Sequence, residues 1–466
     1  MIGDVAEPAD FPTTVLRWRN DRAAATVGLD TLSDDDWIKH FGRFAPLPGS
    51  LSQPLALRYH GHQFRVYNSD IGDGRGFLFA QLRDDRDRLL DLGTKGSGQT
   101  PYSRFGDGRL TLKGAMRELL ATEMLEALGV PTSRTFSIVE TGEELVRNDE
   151  PSPTRSAVLV RLSHSHIRIG SFQRLAFEGD TAGIEALANY ALVHLLDHPT
   201  DAVAAMEASG AALALFEQVV ARTADLAAHY MVAGFVHGVL NTDNINVTGE
   251  SFDYGPWRFA PHWDPRFTAA YFDHHGLYAF GRQGEAIHWN CAQLAISLRT
   301  LAEADPMIAL LDGFADRFHD TLTDRFVWRL GVASAGAEAN RALVAAGVAA
   351  MAPGGVGIDR LCYDHAAGRV TEPLGDAHRD FAKLLEGHAP ARSLDHAYWE
   401  GEAPCSMLVE EVEAIWAAIA ERDDWQPLDA KVAAIREMGA AMADTASAVA
   451  KPRTWSLETS ISSGPT

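Results

Sequence analysis

Five residues of this chain are of types that handle phosphate: Lys95 inside GTKGSG, Glu118 on a long apolar-patterned stretch, Asp243 and Asn244 in HGVLNTDNINV, and Asp253 in FDYGP. A lysine among glycines sets a compact positive charge where backbone N–H groups can approach phosphate oxygens. Two more glycine turns flank it, GDGRG at 72–76 and FGDGR at 105–109. Asn244 and Asp253 offer hard oxygen atoms. Mg2+ needs only one or two such protein ligands, because phosphate and water complete its octahedron. Arg161 and Arg168 straddle SHSHI, and a planar guanidinium fork bonds two phosphate oxygens at once.

The segment 237–247 is similar to a protein-kinase catalytic loop with one part moved. In H-R-D-L-x-x-x-N the Asp two places after His meets the substrate hydroxyl, the Asn seven places after it holds a metal, and a later D-F-G supplies a second metal ligand. Here Asn244 follows His237 at that spacing and Asp253 opens Asp253-Tyr254-Gly255, but Val239 occupies the position of the base. Valine cannot accept a proton, and Asp243 is the only nearby carboxylate. Taken alone, NTDN is equally a polar turn capping a strand, and each G-x-G reads more readily as a hairpin connection. Their occurrence together and in order, with Glu118 placed to pair with Lys95, favours the chemical reading.

The elements that must position these residues follow from the patterning. FLFAQL (77–82), LLDLG (89–93), TFSIVE (135–140) and AVLVRL (157–162) read as strands. Residues 112–130 carry Met116, Leu119, Leu120, Met124, Leu125 and Leu128 at helical spacing, stopped by Gly129. From about residue 180 the pattern turns helical, over 181–198, 211–233, 286–303, 336–350, 407–421 and 429–449. Strands with one helix followed by a helical body define an α+β architecture with a cleft between the two parts. The glycine- and proline-rich stretch 352–376 is expected to be a long loop or a late boundary.

Composition narrows the function. A net charge of −22 without a long Lys/Arg run argues against nucleic acid as a partner. No apolar run approaches the ~20 residues of a membrane span, and the acidic start lacks the order of a signal peptide. Cys291, Cys362 and Cys405 form no C-x-x-C pair, which fits a reducing compartment and hence the cytoplasm. His60-x-His62, His164-x-His166 and His274-His275 lack H-E-x-x-H form and read as structural.

Over residues 51–296 the chain resembles the selenoprotein O (SelO) family. The passages that carry the likeness are LALRYHGHQFRVYNSDIGDGRGFLFAQL, the run DLGTKGSG through VPTSR, VLVRLSHSHIRIGSFQ, HGVLNTDNINV with FDYGP, and DHHGLYAFGRQGEAIHWNCAQLA. Beyond 300 the likeness fades. The resemblance implies a protein-kinase-like two-lobed fold: an N-terminal extension (1–50), an N-lobe (51–165) and a mostly helical C-lobe (166–466). It implies ATP bound in reversed orientation, with AMP transferred to Ser, Thr or Tyr hydroxyls of proteins, including self-modification. Carried over, Gly72, Gly74, Arg75, Asp107, Gly108, Arg161 and Arg168 contact nucleotide, and Lys95, paired with Glu118, binds phosphate. Asp243 accepts the proton, near its ordinary pKa, and Asn244 and Asp253 hold Mg2+. UMP transfer from UTP with Mn2+, γ-phosphoryl transfer, and nucleotide binding without catalysis are the alternatives. Where members carry a C-terminal Cys or selenocysteine, this chain has Ile461, so redox control through that position is expected to be lost.

Overall fold

The computed structural model describes residues 2–148 and 150–443. Ile461 and the end of the last expected helix lie outside the described residues.

Ten strands are needed to describe the first part: β1 (Gly3–Val5), β2 (Val15–Arg19), β3 (Leu55–Leu57), β4 (Gly61–Gln63), β5 (Val66–Asn68), β6 (Leu78–Arg83), β7 (Leu89–Lys95), β8 (Leu110–Thr111), β9 (Arg134–Leu145) and β10 (Thr154–Ser163). Eight of them form one antiparallel sheet in the order β1-β3-β6-β7-β10-β9-β2, with β8 also on β10; β4 and β5 form a separate hairpin. Residues 1–50 therefore do more than extend the fold, because they supply both outermost strands of the sheet.

Period-two alternation along β10 sends Val158, Val160 and Leu162 to one face, where Trp37, Phe41, Phe44 and Phe136 cover them. Ala157 and Leu159 point the other way, onto Met116, Leu119 and Leu120 of the helix Leu112–Ala127. Both faces are buried, which is why AVLVRL is almost continuously apolar. Arg161 breaks that run on the helix side. Its partner across the ladder is Gly93, and Leu159 faces Lys95. Residues directly opposite in a ladder share a face, so Lys95 and Arg161 emerge together toward the helix that carries Glu118. That helix begins at the Thr111 cap, whose hydroxyl accepts from Gly114 N at 3.1 Å. It ends before Gly129, which takes the left-handed φ of +71°.

The second part is built on the helix Ala208–Ala233, which buries Leu215, Phe216, Val219, Leu226 and Tyr230 and packs against the helices Gln283–Leu298 and Phe314–Leu330. Just past its end, Phe235–Val236 pairs with Arg258–Phe259. This two-stranded ladder clamps the ends of the segment that holds Asp243, Asn244 and Asp253. The stretch 352–376 is not a bare loop. Ile358, Leu361 and Cys362, buried at helical spacing, make the helix Ile358–Asp364 within it.

The helix Gln426–Ala443 returns to the first part and lies on the Glu118 helix, with Gly439 against Ala127 and Arg436 bonded to Glu123 at 2.7 and 2.8 Å. Among the described residues no helix is long and apolar enough to cross a membrane.

Candidate active site

Gly72, Gly74, Arg75, Lys95, Asp107, Gly108, Arg161, Asp243 and Asp253 line one cleft of about 640 Å³. Its cationic lining residues are Arg75, Lys95, Arg104, Arg109, Arg147 and Arg161, against four aspartates, so the cleft is locally basic in a strongly acidic chain. A low-dielectric concavity with an excess of positive charge favours a polyanionic small molecule.

At the inner end four charges interlock. Lys95 Nζ lies 2.8 Å from Glu118 Oε2 and 3.0 Å from Asp253 Oδ1, and donates to the Tyr254 carbonyl at 3.3 Å. Arg161 stands 3.3 Å from Asp253 and 3.5 Å from Glu118. Burial alone would raise the pKa of Asp253, but Lys95, Arg161, Arg168 and Arg75 outweigh it and hold this carboxylate well below its ordinary range. Asp253 has φ +63°, a left-handed conformation that costs a non-glycine residue about 1–3 kcal/mol. That φ places its carboxylate between the two cations.

Asp243 is the opposite case. It is buried, its Oδ1 has no hydrogen-bond partner among the described residues, and Gln63 Nε2 reaches its Oδ2 at 3.5 Å. Burial pushes its pKa up to about 6 and the charge of Asp253 adds to this, while its own backbone N–H and Arg168 pull the other way. The expectation of an ordinary carboxylate is thereby corrected. Asp243 is still mostly ionised at pH 7, and it is a far better proton acceptor than a solvated aspartate.

Asn244 donates its Nδ2 to the Val239 carbonyl at 2.9 Å, which turns the amide oxygen away from that bond and leaves it available as a ligand. Asn244 is not among the residues that line the cleft; its amide oxygen and the Asp253 carboxylate are the hard-oxygen groups that could serve Mg2+. Among the described residues no group of three or more His, Cys, Asp or Glu is placed to hold a metal.

Arg168 does not line the cleft. It is buried, with Nη1 donating to the Asp243 carbonyl at 3.2 Å and Nη2 reaching Asp73 at 3.4 Å, and it lies over the Tyr59 ring at 4.0 Å. Its position fastens the Asp243 turn. The glycines also have structural duties. A Cβ on Gly72 would stand 2.5 Å from the Tyr102 ring, and one on Gly108, where φ is +70°, would stand 2.3 Å from Gly98.

Three partners of the site are not readable from spacing. Asp91 accepts from His166 N at 2.8 Å and faces Nδ1 at 3.3 Å, which leaves Nε2 to accept from Arg161 Nε at 3.2 Å. Burial, followed by the charge of Arg161, lowers the pKa of His166 despite Asp91 and keeps the ring neutral, as that relay requires. Arg147 grips both oxygens of Asp107 at 2.8 and 3.0 Å. Gln63, in HGHQF, touches Asp243 because the β4–β5 hairpin docks on the NTDN turn: His62 N donates to Thr242 Oγ1 at 2.7 Å, and Phe64 N to Asn241 Oδ1 at 3.0 Å. Of the histidines singled out in the sequence, His60 meets the Tyr67 hydroxyl and His62 meets Gln173, whereas His274 and His275 are exposed.

A sheet-and-helix scaffold around a basic cleft, whose lining holds one carboxylate held by cations and one buried carboxylate with an unpaired oxygen, fits a nucleotide-transferring enzyme. The family model for the protein adenylyltransferase SelO matches residues 2–364, and the chain belongs to this family. Among its relatives, a protein nucleotidyltransferase YdiU of Synechococcus elongatus is 39% identical over 95% of this chain and 94% of its own. The protein of that name from Gloeobacter violaceus is 42% identical over 91% and 90%, and that from Synechocystis is 39% identical over 91% and 93%. The likeness therefore continues well past residue 300, where the sequence alone suggested that it fades.

Proposed function

We propose that this enzyme is a Mg2+-dependent protein adenylyltransferase of two-lobed, kinase-like build that moves AMP from ATP to Ser, Thr or Tyr hydroxyls of proteins in the cytoplasm, itself included. The observation that carries this reading is the buried Asp243 carboxylate, one oxygen of it unpaired, in the cleft that also holds the Lys95–Asp253–Arg161 cluster. A proton acceptor and a phosphate-binding cluster then share one cleft, while Val239 leaves the usual kinase position without a base.

In this reading the acceptor oxygen attacks the α-phosphorus, the bond from that phosphorus to the bridging oxygen of the β-phosphate breaks, and pyrophosphate leaves with the electron pair. The acceptor proton goes to Asp243. Lys95 and Arg161, held in place by Glu118 and His166, offset the negative charge that develops on the transferred and leaving groups. Asn244 and Asp253 would hold Mg2+, which supplies further charge neutralisation for the polyphosphate. Arg75 and the Arg147-held Asp107 line the same cleft and would contact the rest of the nucleotide. The names of the relatives support protein as the acceptor, and the free thiols of Cys291, Cys362 and Cys405 accord with a reducing compartment.

The test is to incubate the enzyme with Mg2+ and ATP labelled on the α- or the γ-phosphate, beside Asp253→Ala, and to follow label onto protein. Transfer of α-label alone, lost in the variant, is the expected result. Transfer of γ-label means a kinase, and faster labelling from α-labelled UTP with Mn2+ means uridylyl transfer. Tight ATP binding without any label means a nucleotide-binding protein.

A further inference from the structure

The β4–β5 hairpin closes through two residues only, Phe64 and Arg65, whose φ angles are +50° and +63°. Such a turn is ordinarily made by Asn-Gly or Gly-Gly, since both central residues must be left-handed. A phenylalanine and an arginine there are strained, and strain of this kind persists where neighbouring structure holds it in place. Phe64 N is tied to Asn241 Oδ1, which also accepts from the Tyr278 hydroxyl at 2.6 Å. Arg65 pairs with Glu285 at 2.9 Å and lies over the Trp289 ring at 5.4 Å.

The strained turn holds an aromatic ring out at the surface. Phe64 stands 5.9 Å from the ring of Phe272, which in turn is 5.1 Å from that of Tyr271. Tyr271 is 77% exposed, and Val66, on the strand leaving the turn, is 69% exposed. This apolar surface begins one residue from Gln63, which lines the cleft and contacts Asp243. It is therefore continuous with the position from which an acceptor hydroxyl would reach its base. Arg65 is engaged by Glu285, so the ridge offers rings rather than a free charge.

We propose that Phe64, Val66, Tyr271 and Phe272 form the docking surface for the protein acceptor, and that it selects a polypeptide carrying an apolar side chain beside the hydroxyl residue. This rests on the reading of Asp243 as the group that takes the acceptor proton. A small acceptor would be held by the cleft alone. A polypeptide must run out over the rim, and the rim next to Asp243 is this ridge.

The experiment uses serine-centred peptides whose neighbouring residues are leucine or aspartate, α-labelled ATP, and the variant Phe64→Gly/Tyr271→Ala. Glycine accepts the φ of Phe64, and Tyr271 is exposed, so the variant keeps its fold. For the wild type, kcat/KM on the leucine peptides is expected to exceed that on the aspartate peptides about tenfold or more, as apolar pockets discriminate. In the variant that preference collapses through KM, while the affinity for a fluorescent ATP analogue is unchanged. Equal labelling of both peptide sets by the wild type, or a preference that survives in the variant, overturns the docking surface and leaves AMP transfer standing. Failure of the wild type to label any peptide or protein removes the transfer reading and this inference together.

Discussion

The ammonium of Lys95 sits 2.8 Å from the Glu118 carboxylate, a bond that fastens a central strand to the helix packed beneath it. Both groups are buried, so neither can fall back on water. Lys95→Met leaves Glu118 with only the longer Arg161 contact, and it is expected to cost about 3 kcal/mol in urea unfolding, as breaking a buried pair does. Adding Glu118→Gln should restore part of that stability and none of the labelling activity. Additive losses would mean that the pair is not coupled.

Asp243 gives a signed pH prediction. Because burial places its pKa at about 6 and the ionised form takes the proton, kcat/KM should rise with pH through about 6 and level off above 7. Asp243→Asn should lower the rate by about 10²–10⁴-fold and abolish that limb.

The same shift makes a separate statement about stability. The folded pKa is raised above the unfolded value, so ionising Asp243 at neutral pH costs the native state. Asp243→Asn should therefore unfold at higher urea than wild type at pH 7, and the difference should vanish as pH falls from about 6 to below 4. Greater stability of the wild type at pH 7 would refute the burial argument.

Asp91 reaches the cleft only through His166. Replacing it by Asn frees the imidazole to change tautomer, and Arg161 then loses the acceptor that orients it. ATP affinity in titration calorimetry should fall about tenfold, within what misplacing a positioning group costs. Unchanged affinity would make the Asp91–His166 pair a packing feature alone.

Gly72→Ala tests the packing reading of the first glycine turn. Its Cβ would stand 2.5 Å from the Tyr102 ring, so the variant should lose about 1–3 kcal/mol, as overpacking does, and with it nucleotide binding. Tyr102→Ala in the same chain should restore binding. If it does not, Gly72 serves the nucleotide directly.

The central strands, the Glu118 helix and the helical second part are legible because their side chains repeat with the period of the element. So is the gathering of Lys95, Asp243 and Asp253 in one cleft. What spacing along one strand does not contain is the ladder register that brings Lys95 and Arg161 to one face. β1 and β2 escape notice because they have three and five residues and find their partners far along the chain. Gln63, Asp91 and Arg147 gain their roles only from contacts across the fold. Asp243 looks ordinary until its burial is known.

The helix Gln426–Ala443 has a consequence for the life of the chain on the ribosome. Every residue of the cleft has been synthesised once Asp253 is added, but the face of the Glu118 helix turned away from the sheet stays uncovered until Arg436 and Gly439 arrive nearly two hundred residues later. A nascent or prematurely terminated chain thus carries the full chemical inventory without the Arg436–Glu123 bond that ties the last helix to the Glu118 helix. A chain ending before residue 426 is expected to fold its sheet and yet hold the Glu118 helix less firmly than the full chain does.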